Sequence, residues 1–180
     1  KHRISVLNGL INAFVVFSSE FGGRPTGLQI ESWVVENVSR GGFGALIGSI
    51  PSEWMKVGML LAIQPEGGDN WLLGIVRRYH RESGVEAKVG IQTLATKALA
   101  IECRPRSASS YGAAATIPAL LIEEGNPAGE VRMVLPLHSF DLRECLEYQQ
   151  DGCRFLLNPV DLLEQTADFE VARYRRAVAA

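Results

Sequence analysis

The sequence predicts an all-β protein, in which a small β-barrel is followed by a second β-rich unit. Two observations carry this prediction. Short apolar runs with strand-like alternation recur along nearly the whole chain, and connections rich in glycine and other turn-forming residues separate them. Five or six such runs precede residue 100, which suits a small closed or nearly closed barrel. Closing a sheet in this way removes its exposed edges.

The strands of the first unit are expected in the following order. Residues 4–17 form one long strand or two short strands with a bend at Gly9. After a further apolar run up to Val35, residues 57–64 and 71–79 flank a turn-rich connection and predict an antiparallel hairpin. Residues 85–94 alternate well enough to continue the meander.

A second unit is expected after a boundary near residue 106, because residues 104–110 turn to small polar side chains typical of a linker. The predicted domains are therefore residues 1–106 and residues 107–180. Short strands are expected within the second domain at residues 117–122, 131–135, 144–148, 154–157 and 169–178, with one or two helical turns at residues 159–166. A single larger barrel is the alternative. The sequence shows no convincing internal repeat.

Composition and charge exclude several classes of function. The formal net charge is -2 and the pI is near 6.0, which argues against binding to DNA, RNA or an anionic membrane surface by bulk charge. No apolar stretch reaches the roughly 18 residues of a membrane helix, so membrane insertion is not expected. The three cysteines are odd in number and lack CxxC spacing, so neither a disulfide framework nor a zinc site is indicated, and a reducing cytoplasm suits them.

No catalytic or metal-binding residue is predicted. The three histidines lie outside any nucleophile-elbow motif, and the sequence contains no GxSxG. The acidic residues show none of the common metal-ligand spacings. An unrelated β enzyme is therefore the hypothesis with the least support, and a binding protein is favoured.

The most informative segment runs from Asn37 to Gly42, at the end of an apolar run. In a strand, residues two apart share a face, so Asn37 and Ser39 are expected to project together. The glycines at 41, 42 and 44 would let another molecule approach the main chain. This pattern suits a cradle for a polar, anionic ligand, and it equally suits an ordinary turn.

Asn37-x-Ser39-x-x-Gly42 resembles the (D/N)xSxxG motif of PilZ domains, a bacterial family of small β-barrels. The downstream context is similar, since a basic segment at Val76-Arg77-Arg78 precedes a strand with Val89-Gly90-Ile91. That strand departs from the family by carrying Thr93 where an aromatic residue is usual. The resemblance covers about residues 1–100, and the second unit resembles no family that we can name.

Arg3 resembles the second arginine of the family's RxxxR motif, whose first arginine would fall upstream of Lys1, outside the sequence given. The resemblance implies binding of cyclic di-GMP, a bacterial second messenger with two phosphodiesters and two guanines. Arginine pairs with phosphate or with guanine O6 and N7, and its flat face stacks on a purine. The ligand-binding residues implied are Arg3, Asn37, Ser39, Arg40, Gly42 and Arg77.

The function implied is that of a cytoplasmic signalling receptor, which binds cyclic di-GMP without altering it and relays the signal to a protein partner. The alternative is a PilZ-like adaptor that has no ligand and mediates protein–protein interaction. The second unit is expected to bind a partner or to pack, because it lacks a copy of the Asn-x-Ser-x-x-Gly motif.

Overall fold

A computed structural model describes residues 2–18, 27–48, 55–106 and 116–179. The chain divides into two units, Lys1–Lys97 and Ala98–Ala180. Each unit contains its own closed six-stranded barrel, so the predicted all-β class, with a barrel followed by a second β-rich unit, is confirmed. No helix in the described ranges has the length and apolar character needed to cross a membrane.

The first barrel is antiparallel, with the strand order β1-β2-β3-β6-β5-β4 and closure between β4 and β1. Its core contains Trp33 among aliphatic side chains from the inner faces of the strands. The elements are β1 (Arg3–Asn8), α1 (Leu10–Ser18), β2 (Glu31–Ser39), β3 (Gly42–Ile47), β4 (Leu60–Pro65), β5 (Leu72–Arg81) and β6 (Ala87–Ala95).

The second barrel has the strand order β10-β11-β12-β9-β8-β7, closed between β7 and β10. Tyr148 and Tyr174 lie in its core. The strands are β7 (Leu99–Pro105), β8 (Ile117–Ile122), β9 (Glu130–Leu135), β10 (Leu146–Gln150), β11 (Cys153–Gln165) and β12 (Glu170–Val178).

The two barrels share one strand order. Counting each barrel's strands from one to six, both close in the cycle 1-2-3-6-5-4. The sequence shows no repeat because a barrel requires inward apolar positions at a period of two, which many different residues satisfy. The fold is therefore an internal structural repeat that the sequence does not reveal.

The expectation of one or two strands at residues 4–17 is wrong for its second half. β1 is extended, but residues 10–18 form the helix α1. Leu10, Ala13 and Val16 are its buried residues, at the three-residue spacing of one helix face. Gly9 makes the change of direction with a φ of 88°. Its carbonyl accepts a hydrogen bond from Ala13 N–H at 3.1 Å. Residues 10–17 are apolar except for Asn12, and a short run of this kind has no period that separates strand from helix.

Two expectations for the second half also differ from the structure. Residues 159–166 are not helical, because β11 extends to Gln165 through register shifts after Pro159 and Leu162. A proline is tolerated in a strand at such an irregularity.

The boundary between units falls at Lys97 rather than near residue 106, since Leu99–Pro105 pairs with β8 and β10 of the second barrel. Residues 107–110 of the expected linker lie outside the described residues.

A buried carboxylate organises the connection between β9 and β10. Glu170 is 2% exposed and accepts hydrogen bonds from the backbone N–H groups of His138 at 3.0 Å, Ser139 at 3.2 Å and Phe140 at 3.0 Å. Gln165 Nε2 donates a fourth bond at 2.8 Å. Buried backbone donors need partners, so this one side chain satisfies three successive residues of the loop.

The cysteines differ sharply in exposure. Cys103 is buried in the second core, and this burial raises its pKa to about 12, whereas Cys153 is exposed. Since only the thiolate is nucleophilic, we expect iodoacetamide at pH 8 to alkylate Cys153 readily and Cys103 only after unfolding. Peptide mass spectrometry before and after denaturant would measure this. Rapid alkylation of Cys103 in the native protein would contradict its placement in the core.

Candidate binding site

Four strands of the first barrel form a groove on the outer face of the sheet. It has a volume of about 320 Å³, and residues from β2, β3, β6 and β5 line it. Of the residues expected from the sequence, Asn37, Ser39, Gly42 and Arg77 line this groove. The described part of the chain contains no cluster of histidine, cysteine and acidic side chains able to hold a metal ion.

A bulge in β2 brings Asn37 to the outside. Val35 pairs with Ala45 while Asn37 pairs with Gly44, so Glu36 is an extra residue in β2. Val35 packs against the barrel core. In a regular strand Asn37 would share that inner face, and the extra residue reverses the alternation. Asn37 and Ser39 therefore both reach the outer groove.

A second bulge in β5 presents two adjacent arginines. Val76 pairs with Ile91 and Arg78 pairs with Gly90, which leaves Arg77 as the extra residue. Val76 is buried, whereas both arginines are exposed and line the groove. Strict alternation in the sequence would send the two arginines to opposite faces. The bulge is the reason that it does not, since it disrupts the alternation locally.

Glycines form the floor between these polar side chains. Gly44 and Gly90 are direct partners across β3 and β6. A Cβ added to Gly44 would lie 2.8 Å from Asn37 Oδ1, and one added to Gly90 would lie 2.9 Å from Arg78 Nε. The side chains of Asn37 and Arg78 therefore lie across the two glycines, close to the main chain.

Hydrogen bonds hold the polar groups of the groove in place. Asn37 Oδ1 accepts from Gly44 N–H at 3.1 Å, and Ser39 Oγ donates to the Gly42 carbonyl at 3.3 Å. Arg77 Nε donates to Gln92 Oε1 at 2.6 Å. Among the described residues, Asn37 Nδ2 has no acceptor, so its two donors remain available to a ligand.

Gly42 has a structural role that the sequence does not reveal. A Cβ at this position would overlap the backbone carbonyl oxygen of Ile91 on β6. The sequence alone predicts that Gly42 leaves room for a ligand. The structure adds that close packing of β3 on β6 requires glycine here.

Arg3 and Arg40 do not line the groove. Arg3 lines a separate cavity of about 410 Å³ together with Gln64 and Glu66. Its Nε donates to Ser32 Oγ at 2.9 Å. Arg3 pairs with Val34 of β2, and Ser32 precedes Val34 on that strand, whereas Asn37 follows it. Arg40 is exposed in the turn between β2 and β3. The structure thus brings together four of the six expected residues.

The second barrel allows a direct comparison because it shares the strand order. In the first barrel, a row of paired residues crosses the sheet from Asn37 through Gly44 and Gly90 to Arg78. The second barrel has a matching row on the corresponding strands, which also ends just after a register shift. It consists of Ile122, Arg132, Arg173 and Asp161. Bulky arginines therefore occupy the positions of the two glycines.

Arg173 in that second row is neutralised within the protein. Its guanidinium donates two hydrogen bonds to the Asp161 carboxylate, at 2.9 Å and 2.8 Å, and lies 3.6 Å from Glu130. The hydrogen bond from Arg173 lowers the pKa of Asp161. A paired arginine of this kind is poorly placed to take an external anion, so the two barrels differ at the corresponding face.

No known protein family, curated protein or solved structure matches this chain. The geometry of the groove is therefore the basis for any functional assignment. The alternation of a regular strand predicts that only one of Arg77 and Arg78 faces the ligand, because a bulge has no sequence signal comparable to a turn motif. Gly90, an isolated glycine between Val89 and Ile91, was the available sign in the sequence of a close approach in the sheet.

Proposed function

We propose that this protein is a receptor for cyclic di-GMP, which binds in the outer groove of the first barrel and is not chemically altered there. One observation carries the proposal: two bulges bring Asn37, Ser39 and Arg77 into one groove above a glycine floor. The residues that match the (D/N)xSxxG motif therefore lie beside Arg77, which is distant from them in the sequence.

The chemistry of the groove suits that ligand. Asn37 Nδ2 offers donors to the acceptor edge of guanine, where O6 and N7 lie. Arg77 offers a guanidinium that pairs with a phosphodiester, and Ser39 Oγ can accept a further hydrogen bond. A hydrogen bond to a charged group contributes roughly 1.5 to 3 kcal/mol and a neutral hydrogen bond about 0.5 to 1.5 kcal/mol, so these contacts together with stacking on a base approach the roughly -8 kcal/mol of micromolar affinity.

The proposal also covers how the signal is passed on and where in the cell the protein lies. We propose that the second unit binds or packs against a protein partner, because its corresponding face carries the paired Arg173 and Asp161 instead of an open floor. A cytoplasmic location is part of the proposal, and the three free thiols suit a reducing compartment.

A ligand-free adaptor is the second candidate, and one observation favours it. Arg3, expected to cover the ligand, is bonded to Ser32 and lines another cavity. A groove without that arginine has fewer charged contacts for two phosphates. Binding measurements separate the two candidates.

Asn37→Ala and Ser39→Ala are each expected to weaken cyclic di-GMP binding by about tenfold to a hundredfold while the barrel stays folded, because each removes a hydrogen bond to the ligand and leaves the ligand's polar group without a partner in the complex. Isothermal titration calorimetry measures the affinity, and linear pGpG tests whether the cyclic form is required. Asn70→Ala, at an exposed position between β4 and β5, is the matched control and should bind as the unaltered protein does.

Two results would count against the receptor. If the unaltered protein gives no heat of binding with cyclic di-GMP, the adaptor is the better description. If binding occurs with equal affinity in Asn37→Ala, Ser39→Ala and Asn70→Ala, the ligand lies elsewhere than in this groove.

A further inference from the structure

Arg78 lines the groove beside Arg77. We propose that its guanidinium is a stacking platform for a purine base, and that it makes the site selective for purine over pyrimidine cyclic dinucleotides. The inference rests on the proposed function, since it assumes that a cyclic dinucleotide occupies the groove.

The side chain of Arg78 lies along the sheet. The point where a Cβ of Gly90 would sit is 2.9 Å from Arg78 Nε and 3.3 Å from both its Cβ and its Nη2. Both ends of the side chain are thus close to one point above the main chain of β6, which requires the arginine to fold back over Gly90. The glycine provides the space for this, and the guanidinium is held beside the backbone instead of extending into solvent.

Arg78 also lacks partners among the described residues. No hydrogen bond or ion pair joins its guanidinium to any side chain or carbonyl in the described ranges, whereas Arg77 is bonded to Gln92 and Arg173 to Asp161. Its edge donors and its outer face are therefore available together. A guanidinium in this state can stack on an aromatic base by its face and bond an oxygen by its edge.

The neighbours of Arg78 specify the kind of base. Gly44 pairs with Gly90, and Asn37 lies across Gly44 as Arg78 lies across Gly90. A base stacked on Arg78 would thus have an edge near Asn37 Nδ2, which is a donor. A purine covers the guanidinium more completely than a pyrimidine, and guanine directs two acceptors to one edge. The geometry therefore favours guanine.

The test uses the intact chain and two ligands with the same phosphodiester ring, cyclic di-GMP and cyclic di-UMP. Arg78→Lys keeps the charge and removes the flat face. Gly90→Ala keeps the arginine and displaces it, because the added methyl would meet the movable end of the side chain. Arg81→Lys, at an exposed position on the same strand, is the matched control. Each variant is first checked for its native circular dichroism spectrum.

The unaltered protein is expected to bind cyclic di-GMP at least tenfold more tightly than cyclic di-UMP. Arg78→Lys and Gly90→Ala should each lose about tenfold for cyclic di-GMP and change little for cyclic di-UMP, and Arg81→Lys should leave both affinities unchanged. Should Gly90→Ala not fold, Arg78→Lys decides the question alone.

The outcomes separate this inference from the proposed function. If cyclic di-GMP binds and Asn37→Ala weakens it while Arg78→Lys has no effect, the receptor stands and the stacking role is overturned. If Arg78→Lys weakens both ligands equally, Arg78 contributes only charge and the inference is again overturned. If the unaltered protein binds neither ligand, the proposed function and the inference both fail.

Discussion

Gly42→Ala is expected to lower the free energy of unfolding of the first barrel by about 3 kcal/mol or more. The added Cβ would overlap the Ile91 carbonyl oxygen, which belongs to the backbone of the neighbouring strand and cannot rotate away. Relief requires β3 and β6 to separate, and overpacking that displaces backbone costs about 1 to 3 kcal/mol or more. Urea denaturation followed by tryptophan fluorescence isolates this barrel, because all three tryptophans lie before residue 97.

Gly41→Ala is the matched control for that substitution. No atom lies within 4 Å of the position that its Cβ would occupy, so its effect should stay within about 0.5 kcal/mol, as for most surface substitutions. Equal losses in the two variants would show that the close contact at Gly42 is not the cause. The comparison also warns that lost ligand binding in Gly42→Ala reports on the fold before it reports on recognition.

Glu170→Ala is the second substitution with a large expected effect, a loss of about 3 to 5 kcal/mol in the stability of the second barrel. It removes a buried carboxylate that accepts four hydrogen bonds from partly buried donors, and donors that lose their partner in such a site are only partly compensated by water. Hydrogen exchange read by mass spectrometry should show early exchange at residues 138–140, followed by global unfolding at a lower urea concentration.

Two further variants make the Glu170 result interpretable. Glu170→Gln keeps the size of the side chain and replaces one acceptor oxygen with a donor, so it should be destabilising while leaving no cavity. Glu102→Ala, at an exposed position on β7, removes the same charge from the same barrel and should leave stability nearly unchanged. Unaltered exchange at residues 138–140 in Glu170→Ala would mean that the loop does not depend on this carboxylate.

The sequence was sufficient for the fold class because alternation of apolar residues is a direct consequence of a half-buried strand. The hairpin of β4 and β5 and the strand β6 were located for that reason. The helix α1 was missed, since an apolar run such as that from Leu10 to Phe17 fits a buried strand and a buried helix equally well. Tertiary packing then decides between the two.

The candidate site shows where such reasoning ends. The placement of Asn37 and Ser39 on one face followed from strand geometry, but the position of that face outside the barrel depends on the extra residue Glu36. A single insertion reverses every later side chain in a strand, and its position is set by pairing with another strand. The joint exposure of Arg77 and Arg78 has the same origin. Both features require knowledge of contacts that are distant in the sequence.

The separation of the two barrels along the sequence has a consequence for folding during synthesis. Every strand of the first barrel, including the pair β1 and β4 that closes it, lies before residue 97. A ribosome adds about 5 to 20 residues per second, so several seconds separate the emergence of the last strand of this barrel from that of β12. The nascent first barrel therefore has time to close, and to hide its strand edges, while the strands of the second are still being synthesised.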